Sequence, residues 1–184
     1  MRVLGMGFDL QSFTNMARKT LWIVNEKDFE GLLGEGFDFS LLYFAVLLIL
    51  HVILLFLRLF FETRDVIVAA LGTVFLGISV AAATGLVLPL ASHLLLKFFK
   101  GKRPMTDTFQ MYYYSSTPSF LLAWLPVLNY VAPLISFGNV FRGIRTINGL
   151  SFWATLVVVL LPTIVYWGIW VLLYVFLVSL AGVA

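Results

Sequence analysis

The chain has 184 residues, of which 61% are hydrophobic, and a mean hydropathy of +1.02. Only 11% of residues are charged, against about a quarter in a soluble domain, so a water-facing fold is excluded for want of polar surface to cover it. The net charge of +3 is unevenly placed, with no acidic residue after Asp107, and there is no cysteine, which excludes disulfides, thiolate chemistry and cysteine-ligated metals.

The first 40 residues do not read as a cleavable signal peptide. They lack a continuous apolar stretch and carry Asp9, Glu26, Asp28, Glu30, Glu35 and Asp38. Asp9 is placed to cap a helix in which Leu10, Phe13, Ala17, Leu21 and Val24 recur at spacings of three and four. Gln11, Asn15, Arg18 and Lys19 fall on its other side, and with Trp22 the pattern suits a helix lying in the membrane interface. Asn25 is placed to cap a short second helix with Phe29, Leu32 and Leu33 on its apolar side, stopped by Gly34 or Gly36.

The first membrane span is predicted at 41–61, about 31 Å as a helix. Glu62, Thr63, Arg64 and Asp65 then form a tight polar turn. The second apolar stretch, 66–99, is too long for one straight crossing and too short for two. It reads as one long tilted helix kinked near Gly85 and Pro89. A basic stretch with Lys97, Lys100, Lys102 and Arg103 follows, closed by Pro104. Residues 108–147 make either one span or two short ones, at 108–125 and 132–147, turned at 126–130. The last apolar run, 152–183, is one helix bent at Pro162.

Charge counting favours five spans. Both basic segments then share a side with the amino terminus, and only Arg58 and Arg64 of the twelve basic residues face away. Four spans would move Arg142 and Arg145 to the far side as well. The expected architecture is therefore an all-α, polytopic integral membrane protein: an amphipathic peripheral segment at 1–40, then a five-span domain at 41–184. Its amino terminus would be cytoplasmic and its carboxyl terminus outside.

A basic loop after a long second helix, followed by Tyr114-Ser115-Ser116-Thr117-Pro118 in the third span, resembles the Yip domain family of Ypt-interacting, Rab-associated membrane proteins and their prokaryotic relatives. The run from Arg142 through Asn148 to Ser151 before the last helix is similar to that family's second shared stretch. The resemblance covers about 41–184 and is nearest to the compact archaeal and bacterial members. Eukaryotic members carry an Asp-Leu-Tyr-Gly-Pro motif near the amino terminus, whereas this chain has Asp9-Leu10 followed by Gln11. The resemblance implies a membrane-organising or adaptor role without established chemistry.

Several residues stand out for function. Ala69, Thr73, Gly77, Ala81 and Gly85 recur every four residues on one helix face, which suits close helix packing within a protomer or between protomers. Lys100, Lys102, Arg103, Arg142 and Arg145 would share one membrane side, either as orientation signals or as a pocket for anionic lipid head groups. Tyr112, Tyr113 and Tyr114 point to three sides of a helix as an aromatic belt. Pro118 frees the carbonyl of Tyr114, for Ser115, Ser116 or a water to satisfy. His51 and His93 lack carboxylate partners at ligand spacing. No nucleophile–base pair, paired carboxylates or phosphate loop appears. The expectation is a non-enzymatic scaffold or adaptor without cofactor or nucleic acid, contacting membrane lipids and other membrane proteins or a second copy. The alternative is a small transporter or channel with a path lined by Thr84, Asn129, Asn139 and the histidines.

Overall fold

In a computed structural model, residues 10–21 and 26–180 are described. The sequence readings at Asp9, Trp22, Val24 and Asn25 lie outside the described residues. All regular structure among them is helical: α1 (Leu10–Leu21), α2 (Glu26–Leu33), α3 (Phe37–Thr63), α4 (Val66–Ala82), α5 (Leu88–Phe98), α6 (Met105–Ser115), α7 (Thr117–Leu122), α8 (Leu128–Asn148) and α9 (Phe152–Leu180). A wide π-helical turn, Ala83–Val87, joins α4 to α5. Three helical stretches are long and apolar enough to cross a membrane, namely Phe37–Thr63, Val66–Phe98 and Phe152–Leu173. Three such helices are compatible with a membrane protein.

Local chemistry sets the boundaries. Gly36 takes φ 87 and lets the chain turn into α3, so that helix starts four residues before the expected Leu41. It ends at Arg64, held left-handed at φ 58 with its N–H on the Phe60 carbonyl. Asp65 then caps α4 by accepting from the amides of Ile67 and Val68 at 2.8 and 3.1 Å. α8 begins at Leu128, so Asn129 and Tyr130 are helical rather than part of a turn, and Pro133 lies inside the helix. Gly149 at φ 62 closes α8, with the Leu150 amide on the Arg145 carbonyl at 3.1 Å.

Tertiary contacts give alternating helix directions. α4 runs back along α3, with Gly72, Gly77 and Gly85 meeting Leu59, Val52 and Phe44 in reverse order. α6 and α7 run alongside α3 in the same sense, through Tyr43 to Thr117, His51 to Phe120 and Arg58 to Ala123. α9 runs against α4 and α5, with Tyr166 donating to the Ser79 carbonyl at 2.6 Å and Ser92 to that of Val158 at 2.9 Å. α1 and α2 pack against this bundle. Met16, Ala17, Phe29 and Leu32 join a buried cluster with Tyr43, Phe44, Met111 and Tyr114. The polar side of α1, Gln11, Asn15, Arg18 and Lys19, is exposed, and its apolar side meets protein.

Candidate functional site

The five cations singled out in the sequence lie around one end of the bundle, and Arg103 ties that end together. Its Nε donates to the Ile147 carbonyl at 3.3 Å, and its guanidinium stands 3.8 Å from Asp107. That bond joins the loop after α5 to the last turn of α8. Gly101 packs closely here, because a Cβ on it would stand 3.2 Å from Asn148 Oδ1. Lys100, Lys102, Arg142 and Arg145 are exposed. The ion pairs present are Arg58–Glu62 and Arg103–Asp107, so these four have no acidic partner among the described residues. Arg142 and Arg145, three apart on α8, share a face. The negative end of the α8 dipole favours Arg145 at this position.

The row of small residues faces α3 of the same chain. Ala69, Thr73 and Gly77 are buried, and Ala81 and Gly85 half-buried. A Cβ at Gly77 would meet Val52 Cγ2 at 3.3 Å, and one at Gly85 would meet the Phe44 ring at 3.1 Å. Close backbone approach of α4 to α3 uses this face.

The Tyr114–Pro118 stretch is wholly buried at the joint between α6 and α7. Here the sequence expectation needs correction: Thr117 Oγ1, not Ser115 or Ser116, donates to the freed Tyr114 carbonyl, at 2.7 Å. Ser116 instead serves the Tyr112 carbonyl at 2.6 Å. The three tyrosines are core residues rather than a belt. Tyr112 meets Ser92 at 2.6 Å, Tyr113 stacks on Phe44 with centroids 4.4 Å apart, and Tyr114 packs 5.5 Å from Tyr43. Their aromatic surface is spent on α5 and α3, leaving none for the lipid interface.

Two of the other proline breaks, at Pro89 and Pro162, follow the same logic. A proline removes the hydrogen bond to the carbonyl four residues back, and inside a bilayer that carbonyl needs another donor. Pro89 frees Gly85, which accepts from Tyr113 Oη at 3.2 Å. Pro162 frees Val158, which accepts from Ser92. Pro133 frees Asn129, whose carbonyl has no side-chain donor among the described residues. Among the described residues, the buried polar atoms without a protein partner are Gln110 Nε2, Tyr114 Oη, Ser115 Oγ, Asn139 Nδ2 and Asn148 Oδ1, all on α6 or α8. Those two helices pack against each other.

A cavity of about 510 Å3 opens between α3, α4, α7, α8 and α9, away from the basic end. Of the residues expected along a transport path, His51, Thr84 and Asn129 line it, whereas His93 and Asn139 do not. His51 Nδ1 donates to the Phe120 carbonyl at 3.3 Å, and His93 pairs with Thr108 at 3.1 Å. Among the described residues, no three His, Asp or Glu side chains converge as metal ligands would.

The cavity, the Ser119–Ser136 contact at 2.8 Å and the buried Thr20 were missed from sequence. The only sequence signal for the hydroxyls is a lone Ser or Thr within an apolar helix. Comparison with protein-family models, curated proteins and solved structures finds no match.

Proposed function

We propose that the protein is a non-enzymatic membrane scaffold or adaptor of the Yip type, crossing the membrane five times. Its amino terminus and both basic segments are cytoplasmic, and its carboxyl terminus is outside. The cytoplasmic end holds anionic lipid head groups. The observation that carries this reading is the set of four exposed cations, Lys100, Lys102, Arg142 and Arg145, around an end fastened by the Arg103–Ile147 hydrogen bond. Each basic residue near an anionic surface contributes about 1 kcal/mol, so four hold a head group without an enclosed pocket. Contacts with other membrane proteins or a second copy fall to the exposed faces of α4 (Ile67, Leu71, Ile78) and α9 (Ile169, Leu172), since the small-residue row is occupied by α3.

The direct test is lipid copurification. Wild-type protein is expected to retain anionic lipid through mild detergent, and an Arg142→Gln, Arg145→Gln variant to retain less. Equal retention by both would reduce the arginines to orientation signals. Topology is tested separately: single cysteines at Thr146 and Val183 are expected to label from opposite sides of sealed vesicles. Same-side labelling would replace five spans with four. Val183 lies outside the described residues, and the test needs only its side of the membrane.

The transport alternative draws on the cavity lined by His51, Thr84 and Asn129. His93 and Asn139 stand apart from it, and most of its lining is apolar, which disfavours a hydrated ion path.

A further inference from the structure

We infer that the cavity is a binding site for an uncharged, hydroxyl-bearing amphiphile with a single hydrocarbon chain. The inference stands apart from the adaptor reading, which concerns the opposite end of the bundle. The cavity's volume of about 510 Å3 is that of a small-molecule site. Along α8 its lining runs from Asn129 to Val140, about 16 Å at the helical rise. Volume over length gives a mean cross-section of roughly 30 Å2, too narrow for a partner helix with its diameter of about 10–12 Å. A hydrocarbon chain fits such a slot.

Polarity within the cavity is graded. Hydroxyls along it are turned onto their own protein: Thr84 donates to the Val80 carbonyl at 2.8 Å and Thr163 to that of Val159 at 2.8 Å. Ser116 serves Tyr112, and Ser119 donates to Ser136. The deep end is formed by Ala83, Leu88, Val140 and Val159, all buried and apolar. Apolar cavities of this kind stay dry and take apolar guests.

The other end carries the groups with capacity to spare. Arg58 commits Nε to Glu62 at 2.8 Å and one terminal nitrogen to the Ala123 carbonyl at 3.2 Å, leaving the second terminal nitrogen. The side-chain amide of Asn129 has no protein partner among the described residues, and its backbone carbonyl has lost its usual donor to Pro133. This end therefore offers both donors and acceptors. Its one positive charge is already paired with Glu62, so it matches a hydroxyl head better than an anion.

The test uses purified full-length protein and a hexadecanol bearing a diazirine near the end of its chain, with labelled residues mapped by mass spectrometry. Labelling is expected at lining residues of the deep end such as Val80, Ala83 and Val140, and unlabelled hexadecanol is expected to compete it away. Thr163→Phe, which fills the cavity, should lower that labelling by about tenfold or more and leave the lipid-facing Ile67 and Leu71 unchanged. Labelling that does not saturate, that persists in the filled variant, or that is confined to the outer faces would overturn the site. Stronger competition by hexadecanoate than by hexadecanol would overturn the uncharged head. If Thr163→Phe does not fold, competition on the wild type decides alone.

Discussion

Tyr43→Ala is expected to lower stability by about 3–5 kcal/mol, the range for removing a large buried aromatic ring, and to free α1 from the bundle. Tyr43 has no exposed surface and sits where three parts of the chain meet. Its hydroxyl lies 2.8 Å from Thr20 Oγ1 on α1 and 2.9 Å from Thr117 Oγ1 on α7. Thr20 and Thr117 turn their own protons onto the Met16 and Tyr114 carbonyls at 2.8 and 2.7 Å, so the one phenolic proton of Tyr43 is the donor between these three oxygens. Its ring packs 5.2 Å from Phe13 and 5.5 Å from Tyr114. Alanine would leave a cavity, two hydroxyls without their shared partner, and α1 without its deepest contact. Tyr43→Phe keeps the ring and should cost only about 1–2 kcal/mol. Thermal unfolding in detergent reads the stability. Trypsin cleavage after the exposed Arg18 and Lys19, faster in Tyr43→Ala than in wild type, reads the release of α1. Unchanged cleavage would mean that α1 is held by other contacts.

The helical character and the positions of the breaks were legible because membrane helices are written in long apolar runs punctuated by proline and charge. Of the stretch read as a turn at 62–65, Glu62 and Thr63 continue α3, and the break falls at Arg64 and Asp65, where Arg64 turns left-handed and Asp65 caps α4. Gly85 and Pro89 mark the irregular segment, and the structure puts a π-helical turn there. The sequence is less explicit about which group repairs each break. Pro162 predicts an orphan carbonyl at Val158, but only the fold shows that Ser92, sixty-six residues earlier in the chain, reaches it. Packing partners also escape periodicity. A stripe of small residues on α4 is visible in the sequence, whereas its partner α3 is set by three-dimensional contact. Likewise, the amphipathic pattern of α1 is equally compatible with lipid and with a groove on the bundle. Burial of Thr20 decides for the bundle, because a buried hydroxyl needs a protein partner and finds Tyr43. The cavity is illegible from sequence because its lining consists of ordinary membrane residues drawn from distant segments.

Gly143→Leu should destabilise the protein by about 1–3 kcal/mol or somewhat more through overpacking. Gly143 lies between the two arginines of α8, where α2, α6 and α8 converge. A Cβ there would collide with Met111 Sδ and would stand 2.8 Å from Phe29 Cε1. Met111 has no exposed surface and Phe29 only 2%, so neither side chain has open space to retreat into. The whole branched side chain of leucine must therefore push α2 or α6 away from α8. Gly138 provides the control on the same helix, because nothing lies within 4 Å of its Cβ position. Gly138→Leu should be close to neutral, within about 0.5 kcal/mol as for surface changes, and any gain would reflect the better helix propensity of leucine. The two substitutions add the same apolar volume, so a difference between them in detergent melting isolates the packing at Gly143. The pair also separates two accounts of the basic end. If Arg142 and Arg145 hold lipid through the position that this packing gives them, Gly143→Leu should reduce anionic-lipid retention while both arginines remain. Retention equal to that of Gly138→Leu would mean that charge alone attracts the lipid and that the close α2–α6–α8 contact serves stability.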